Sequence, residues 1–399
     1  MKVVIIGSGI AATEAAKAVR ERDAAAQIDI YSRENLLPYR RPALTRMISE
    51  ELSEKQFLVH PPEFYTEKQI SLHLNSEVAA INRKDKKIVL KDGSEVDYDK
   101  LMIGAGGRVF VPPIQGTKLP QVITLREKSD LDRLLKLIDS GLKQVCIIGG
   151  GLLGLEIADS LSKRGADVTV LEAEPSMLPR QIDPEGAALL VEAMESNPKV
   201  KTHYGIFVSH ICGHKKVEGV QTQKGGIIPC DLVIISTGVR CNIELAHQAH
   251  ITTKRAIVVN RHMRTSDQDI FAAGDCACCD GSFKGLWPTA GEQGRIAGAN
   301  IAGDDIKFKP DIHGVRLVGF GTKLFSIGDI GLDEKKQYRA VAMRDEISGE
   351  YRKFVFLNDC LVGGILLGDV APALKMQKAV EDNSTLTEVK SRGLLSCWK

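Results

Sequence analysis

Gln144-Val145-Cys146-Ile147-Ile148-Gly149-Gly150-Gly151-Leu152-Leu153-Gly154-Leu155-Glu156 is the stretch whose reading decides the fold. An apolar run from Val145 to Ile148 meets a glycine series and then a helical segment, which predicts strand, turn and helix. Gly149 permits the tight bend, Gly151 lets the backbone approach a pyrophosphate, and Gly154 lets helix and strand pack closely. The N-terminal amides of the helix then face the phosphate charge. A second strand, Val168 to Leu171, ends in Glu172, at about the spacing where an acid hydrogen-bonds an adenosine ribose diol. A carboxylate there favours NADH over NADPH, whose 2'-phosphate it would repel. The first cation after it, Arg180, stands eight residues on. A bare glycine series often marks only an αβ turn; this one has the strand, the helix and the acid around it.

A similar unit stands at the N-terminus. Lys2 to Ile6 forms an apolar strand leading into Gly7-Ser8-Gly9-Ile10-Ala11-Ala12, a G-x-G-x-x-A turn that opens a helix to Glu21. Gly7, Gly9, Ile10, Ala11 and Ala12 are therefore candidates for holding a first dinucleotide. The next strand, Ile28 to Tyr31, ends at Ser32 where the ribose acid is expected, and Glu34 becomes the candidate for that role. Two turns of this kind imply two dinucleotides, and the usual chemistry joining two is hydride exchange between a nicotinamide and a flavin. Each unit also has a glycine-ended closing strand, Leu101 to Gly106 and Leu232 to Gly238, with Gly106 and Gly238 at the ends. Between them Val111-Pro112-Pro113 reads as a linker.

Composition sets the outer limits. The chain has 399 residues, enough for two or three domains, with 43 % hydrophobic and 26 % charged residues and a formal net charge of +2. That balance argues against a general nucleic-acid or membrane-surface role and leaves room for a local basic patch. The first strand starts at residue 2 and no apolar run reaches about 18 residues, so a cytoplasmic protein is expected. Nine cysteines at irregular spacing do not make a disulfide framework and read as reduced thiols.

A further motif, Thr265-Ser266-x-x-x-Ile270-Phe271-Ala272-Ala273-Gly274-Asp275, makes the resemblance specific. With the two glycine turns and closing strands, the chain resembles the pyridine nucleotide-disulfide oxidoreductase superfamily. The resemblance implies an α/β fold with two Rossmann-like dinucleotide-binding domains, an NAD domain inserted into an FAD domain, plus a small α+β C-terminal module. FAD would take residues 1–111 and 240–312, NADH residues 112–239, the module 313–385 and a tail 386–399. It also assigns Gly274 and Asp275 to the ribityl and phosphate part of FAD. The chain departs from the family pattern at Ser32 and in lacking a Thr in Gly104-Ala105-Gly106.

Disulfide reductases of this superfamily carry redox-active cysteine in the helix after the first ribose strand. Here that region reads Leu37-Pro38-Tyr39-Arg40-Arg41-Pro42-Ala43-Leu44-Thr45-Arg46, and the first cysteine of the chain is Cys146. Electrons are expected to leave directly from the flavin. The Pro-Tyr-x-Arg-Pro run is similar to reductases of small iron-sulfur carriers, rubredoxin and ferredoxin, and to the flavin domain of nitrite reductase. From the carrier reductases, Arg46 and Glu156 are expected as an ion pair beside the reacting ring, Arg41 as a cofactor contact, and Arg40 and Arg41 as a positive rim suited to an acidic carrier. The Cys276-x-Cys278-Cys279 cluster lacks a fourth ligand and a nearby His for zinc or an iron-sulfur centre. It reads as redox-sensitive or inert loop thiols, and no metal is assigned. Cys397 lies in a tail with little pattern.

The helix beginning at Trp287 is rich in small residues. By the resemblance its N-terminus points at the pyrimidine edge of the flavin; tight helix packing explains the same composition, and both can hold. Strand patterns Tyr338 to Arg344, Tyr351 to Leu357 and Cys360 to Leu367 and a helix from Pro372 to about Glu381 complete a module similar to the closing module of NADH-dependent rubredoxin reductases. The expected function is an FAD enzyme passing electrons from NADH to rubredoxin or a similar small acidic carrier. An NADH oxidase or diaphorase, a nitrite-reductase-type flavin component and a flavin-bound scaffold protein are the alternatives, and the oligomeric state stays open.

Overall fold

The computed structural model describes residues 1–281, 285–310, 312–345 and 348–395. The chain divides into two units, one made of Met1–Ala43, Glu51–Arg108 and Val239–Asp311, the other of Leu44–Glu50, Val109–Gly238 and Ile312–Lys399.

The first unit is built on a parallel five-stranded sheet. Its order across the sheet is Ile270–Ala272, Lys100–Ile103, Lys2–Ile6, Gln27–Tyr31, Ile70–His73. Val3, Val4, Ile5, Leu101, Met102, Ile103 and Phe271 are wholly buried, as expected for parallel strands covered on both faces. Helix Ile10–Arg22 runs beside helix Trp287–Ile301, and the small residues noted in the sequence explain how. A Cβ on Gly294 would come 2.1 Å from the Ala11 carbonyl oxygen, and one on Gly298 would come 2.2 Å from that of Ala15. Only glycine allows the two backbones to approach so closely, so the packing explanation holds.

The second unit repeats the plan. Its parallel sheet runs Val200–His203, Asp167–Leu171, Gln144–Ile148, Leu232–Ile235, Val122–Ile123. In each unit the strand before the glycine turn lies between the strand that leads to the candidate acid and the closing strand that leads to a glycine.

The C-terminal residues of the second unit form an antiparallel five-stranded sheet in the order Val315–Gly319, Thr322–Gly328, Cys360–Leu367, Tyr351–Leu357, Arg339–Arg344. Helix Ala373–Glu381 covers one face, burying Met376, Ala379 and Val380 with Phe325, Phe354, Phe356 and Leu366. Two buried aspartates tie this sheet to the nucleotide-type fold of the same unit. Asp159 accepts from the Phe320 backbone N–H at 2.8 Å. Asp183, which caps helix Pro184–Glu195 through the Gly186 N–H, also accepts from the Tyr351 hydroxyl and the Lys353 ammonium, each at 2.8 Å. Burial, with the Asp183 carboxylate second, pushes the Tyr351 hydroxyl far above its usual titration range.

The segment after Thr387, expected to have little pattern, is corrected by the structure. Leu386–Ser391 is a helix with a Thr385/Glu388 capping box, and it buries Val389 completely. Cys397 lies outside the described residues.

Candidate functional site: two glycine turns and a buried hydroxyl

The two turns share a backbone. Gly7 has φ +94° and Gly149 φ +116°, and a Cβ on either would come 2.3 Å from a carbonyl oxygen of its closing segment, Gly104 or Ser236. Left-handed φ and contact with backbone together require glycine at both positions. At the second glycine of each motif the situation is opposite: a Cβ at Gly9 or Gly151 would meet nothing within 4 Å among the described residues. Space in front of a helix N-terminus is what a pyrophosphate needs. The third positions differ, since Gly154 lies against the Gly149 carbonyl oxygen, 2.1 Å from where its Cβ would be, whereas Ala12 is accommodated and fully buried. Ile10 and Ala11 open the first helix. Gly106 and Gly238 both adopt positive φ, and their carbonyls accept from Asn242 N–H at 3.0 Å and Phe110 N–H at 2.8 Å.

The acids differ more. Glu172 directly follows the strand paired with Gln144–Ile148, and its Oε2 accepts from the Gly150 N–H at 2.7 Å while Oε1 accepts from the Glu174 N–H at 2.9 Å. The carboxylate thus stands at the glycine turn. Ser32 takes the same register in the first unit, and its hydroxyl is paired with that of Ser8 in the turn, 2.8 Å away. Glu34 lies in the loop beyond, ion-paired to Arg41 and accepting from the Tyr39 hydroxyl at 2.6 Å. Arg41 in turn donates to the Tyr39 hydroxyl oxygen at 3.2 Å. The structure therefore brings two of the sequence candidates, Glu34 and Arg41, together. Arg40 is exposed, its Nε donating to the Leu58 carbonyl at 3.2 Å.

Gly274 and Asp275 line a small cleft with Thr289, Ala290 and Gln293 at the start of helix Trp287–Ile301. Gln293 Oε1 accepts from the Gly274 N–H at 2.9 Å and so fixes the corner from which Asp275 projects. Sequence reasoning did not single out Thr289. It is 6 % exposed, yet its Oγ1 is buried with no hydrogen-bond partner among the described residues.

The Arg46–Glu156 ion pair expected from the resemblance is replaced by other contacts. Arg46 ends a one-turn helix, Ala43–Arg46, and its guanidinium pairs at 2.8 Å with Glu50, four residues on and also exposed. A partner one helical turn away is the nearer solution for a side chain in that position. Glu156 accepts instead from the Thr45 hydroxyl at 3.0 Å. Burial raises the Glu156 carboxyl above the usual glutamate range, opposed by the Thr45 hydrogen bond. Thr45 is a second residue missed in the sequence, although it stands next to Arg46.

Two of the thiols after Asp275, Cys276 and Cys279, are not poised as nucleophiles. Burial pushes Cys276 up to about 12 and Cys279 up to about 11, and the Cys276 thiol donates to the Ile103 carbonyl at 3.3 Å. Among the described residues no group of three or more His, Cys, Asp or Glu is arranged to hold a metal ion, and no helix is long and apolar enough to cross a membrane.

Comparison with known proteins agrees with this arrangement. Residues 1–294 match the Pyridine nucleotide-disulphide oxidoreductase family, and residues 315–384 match the Rubredoxin NAD+ reductase C-terminal domain. An NADH oxidase of Methanocaldococcus jannaschii is 36 % identical over 78 % of this chain and 72 % of its own length. A rubredoxin-NAD(+) reductase of Pseudomonas putida is 33 % identical over 80 % of this chain and 86 % of its own. Against a nitrite reductase of Bacillus subtilis, 28 % identical over 99 % of this chain, the match spans about half of the relative, 49 %. The solved NADH:rubredoxin oxidoreductase of Clostridium acetobutylicum superposes with a TM-score of 0.82 at 26 % identity, covering 99 % of both chains. With two glycine turns, a Gly-Asp corner and a closing antiparallel module in this order, the chain belongs to the pyridine nucleotide-disulphide oxidoreductase family, whose members are FAD-dependent and use NADH.

Proposed function

We propose that this protein holds FAD in its first unit, takes hydride from NADH bound at the Gly149–Gly154 turn, and passes electrons one at a time to rubredoxin or a similar small acidic iron-sulfur carrier. The observation that carries the proposal is a combination: residues 315–384 match the rubredoxin reductase closing domain, in a chain with no cysteine before Cys146. The helix after the first ribose strand, where disulfide reductases of the family carry their redox-active cysteine, thus has no thiol to relay electrons.

The residues of the first unit fit FAD. The open space at Gly9 admits a pyrophosphate, Glu34 stands ready for the ribose diol with Arg41 and Tyr39 fixing its carboxylate, and Asp275 offers an acceptor to ribityl hydroxyls. When bound, FAD supplies the two-electron acceptance and one-electron release that join NADH to a one-electron carrier. In the second unit Glu172 selects NADH by accepting from the ribose diol and repelling a 2'-phosphate. Arg46 and Glu156 are assigned to the flavin reaction as separate groups, Arg46 with Glu50 and Glu156 with Thr45. Arg40, exposed, serves the acidic carrier.

An oxidase reading has one observation in its favour, the relative named NADH oxidase at 36 % identity. Anaerobic stopped-flow separates the two. NADH should bleach the flavin quickly, and rubredoxin should then restore its colour far faster than O2 does; the opposite order of acceptors selects the oxidase.

A further inference from the structure

We propose that the first unit carries a further small-molecule site, at the end of its sheet opposite the glycine turn, where Arg83, Lys86 and Tyr98 bind a small hydroxylated monocarboxylate. The cleft there measures about 450 Å3, within the range of about 300–1,000 Å3 usual for small-molecule sites. Its far wall is the turn 266–269. Asp269 immediately precedes strand Ile270–Ala272 and Lys100 starts the neighbouring strand Lys100–Ile103, whereas Gly274 and Gly104 lie beyond the other ends of the two. The cleft is therefore no part of the dinucleotide site.

Tyr98 points to a missing partner. It is 3 % exposed, and its hydroxyl is buried without a hydrogen bond among the described residues. Buried hydroxyls almost always find a partner, and this residue borders the cleft. Burial first, and the Asp267 carboxylate second, push Tyr98 up to about 12, so it keeps a proton to donate.

The charged groups decide what it donates to. Both oxygens of Asp267 already accept, from the Asp269 N–H at 2.9 Å and from Arg83 Nε at 2.7 Å. Those of Asp269 accept from the Lys100 and Lys86 ammonium groups, each at 2.5 Å, and these bonds hold its carboxyl below the usual aspartate range. A cationic ligand would find both acids neutralised. The spare capacity belongs to donors. Arg83 Nη1 is taken up by the Ala249 and His250 carbonyls, which leaves Nη2 without an acceptor among the described residues. The Lys86 ammonium likewise has protons beyond the one that faces Asp269. Together with Tyr98 these groups suit an anion. Two carboxylates in the same wall disfavour a doubly charged phosphate, so the anion is a single carboxylate. Ser266 Oγ accepts from the Thr252 N–H and retains its own proton, and Gln268 is an exposed amide. Both match hydroxyl groups on the rest of the ligand.

Gluconate is the probe, with glucose as its neutral counterpart and inorganic phosphate as the dianion, each titrated calorimetrically into the full-length protein at low ionic strength. Gluconate should bind saturably, one per chain, and about tenfold tighter than either control. Tyr98→Phe, which keeps the ring, should weaken gluconate about tenfold. Without gluconate it should melt no lower than wild type, because the hydroxyl removed had no partner. Lys86→Gln, on the exposed rim, should also weaken gluconate. Absence of saturable binding, glucose or phosphate bound as tightly as gluconate, or wild-type affinity in either variant would overturn the site. A Tyr98→Phe protein that melts well below wild type would show the hydroxyl already satisfied, and would overturn it as well.

Discussion

At matching register, the strand after the first glycine turn is followed directly by Ser32 and the strand after the second by Glu172. Both turns begin with a glycine of positive φ pressed against a carbonyl oxygen, and both leave space at the second glycine. The difference lies in how the polar groups are satisfied. In the second unit Glu172 itself accepts the Gly150 N–H, so the turn is complete without a ligand. In the first, Ser8 and Ser32 satisfy each other and the acid has moved into a loop, where Arg41 and Tyr39 hold Glu34. A turn that closes on its own acid suits a substrate that comes and goes. A preformed acid held by neighbours suits a cofactor that stays.

The strongest way to break this comparison is at the shared glycines. Gly7→Ala and Gly149→Ala each force a Cβ onto backbone 2.3 Å away in a conformation L-residues avoid. Each should weaken its own nucleotide by about 3 kcal/mol or more, over a hundredfold. Gly7→Ala should lose FAD, whereas Gly149→Ala should keep FAD and lose reduction by NADH. FAD content and NADH titrations read both, and a crossed pattern would reverse the assignment of the turns.

The acids come next. Glu172→Ala should raise the Kd for NADH by about 1.5–3 kcal/mol and narrow the gap to NADPH, leaving FAD content unchanged. Glu34→Gln should weaken FAD by about tenfold, some 1.4 kcal/mol, without altering NADH selectivity. Unchanged selectivity in Glu172→Ala would place the ribose acid elsewhere.

A smaller effect concerns the rim. Arg41 is committed to Glu34, which leaves exposed Arg40 as the better steering charge of the two. Arg40→Glu should slow carrier reduction several-fold at low salt and converge with wild type at about 0.15 M, where the screening length is about 8 Å. Flavin reduction by NADH should change far less.

The smallest effect is in stability against pH. Burial raises the folded-state pKa of Glu156, so the folded protein holds that proton more tightly than the unfolded chain. Stability from this group is therefore present below the unfolded pKa and declines as pH rises through the folded one. Glu156→Gln removes the titration, so its melting temperature should gain on wild type with rising pH across that window. A constant difference between the two proteins would show that the carboxyl is not perturbed.

The sequence made the two turns legible because their signals are local: an apolar strand, glycines at fixed spacing, a helix and an acid within about 30 residues. Ser32 was visible as a departure, and Glu34 as its replacement, but not the Arg41 and Tyr39 contacts that hold Glu34. The replacement of the Arg46–Glu156 pair was hidden for a similar reason, since Thr45 and Glu156 are 111 residues apart and side-chain choice among nearby acids follows three-dimensional distance. Asp159 to Phe320 and Asp183 to Tyr351 span 161 and 168 residues and leave no periodic trace. The Leu386–Ser391 helix is another matter. Its Thr385-x-x-Glu388 box was in plain sight, and the short length of the segment concealed it.

The central claim is that electrons pass from flavin to carrier with no thiol between them. The direct measurement is an anaerobic single turnover: protein loaded with FAD, reduced by one equivalent of NADH, then mixed with excess oxidised rubredoxin while flavin, rubredoxin and free thiols are followed together. The account predicts that each reduced flavin is reoxidised as two rubredoxins are reduced, with the thiol count unchanged at every stage. Gain or loss of thiols in step with flavin oxidation, or a reduced flavin that rubredoxin leaves untouched, would contradict it.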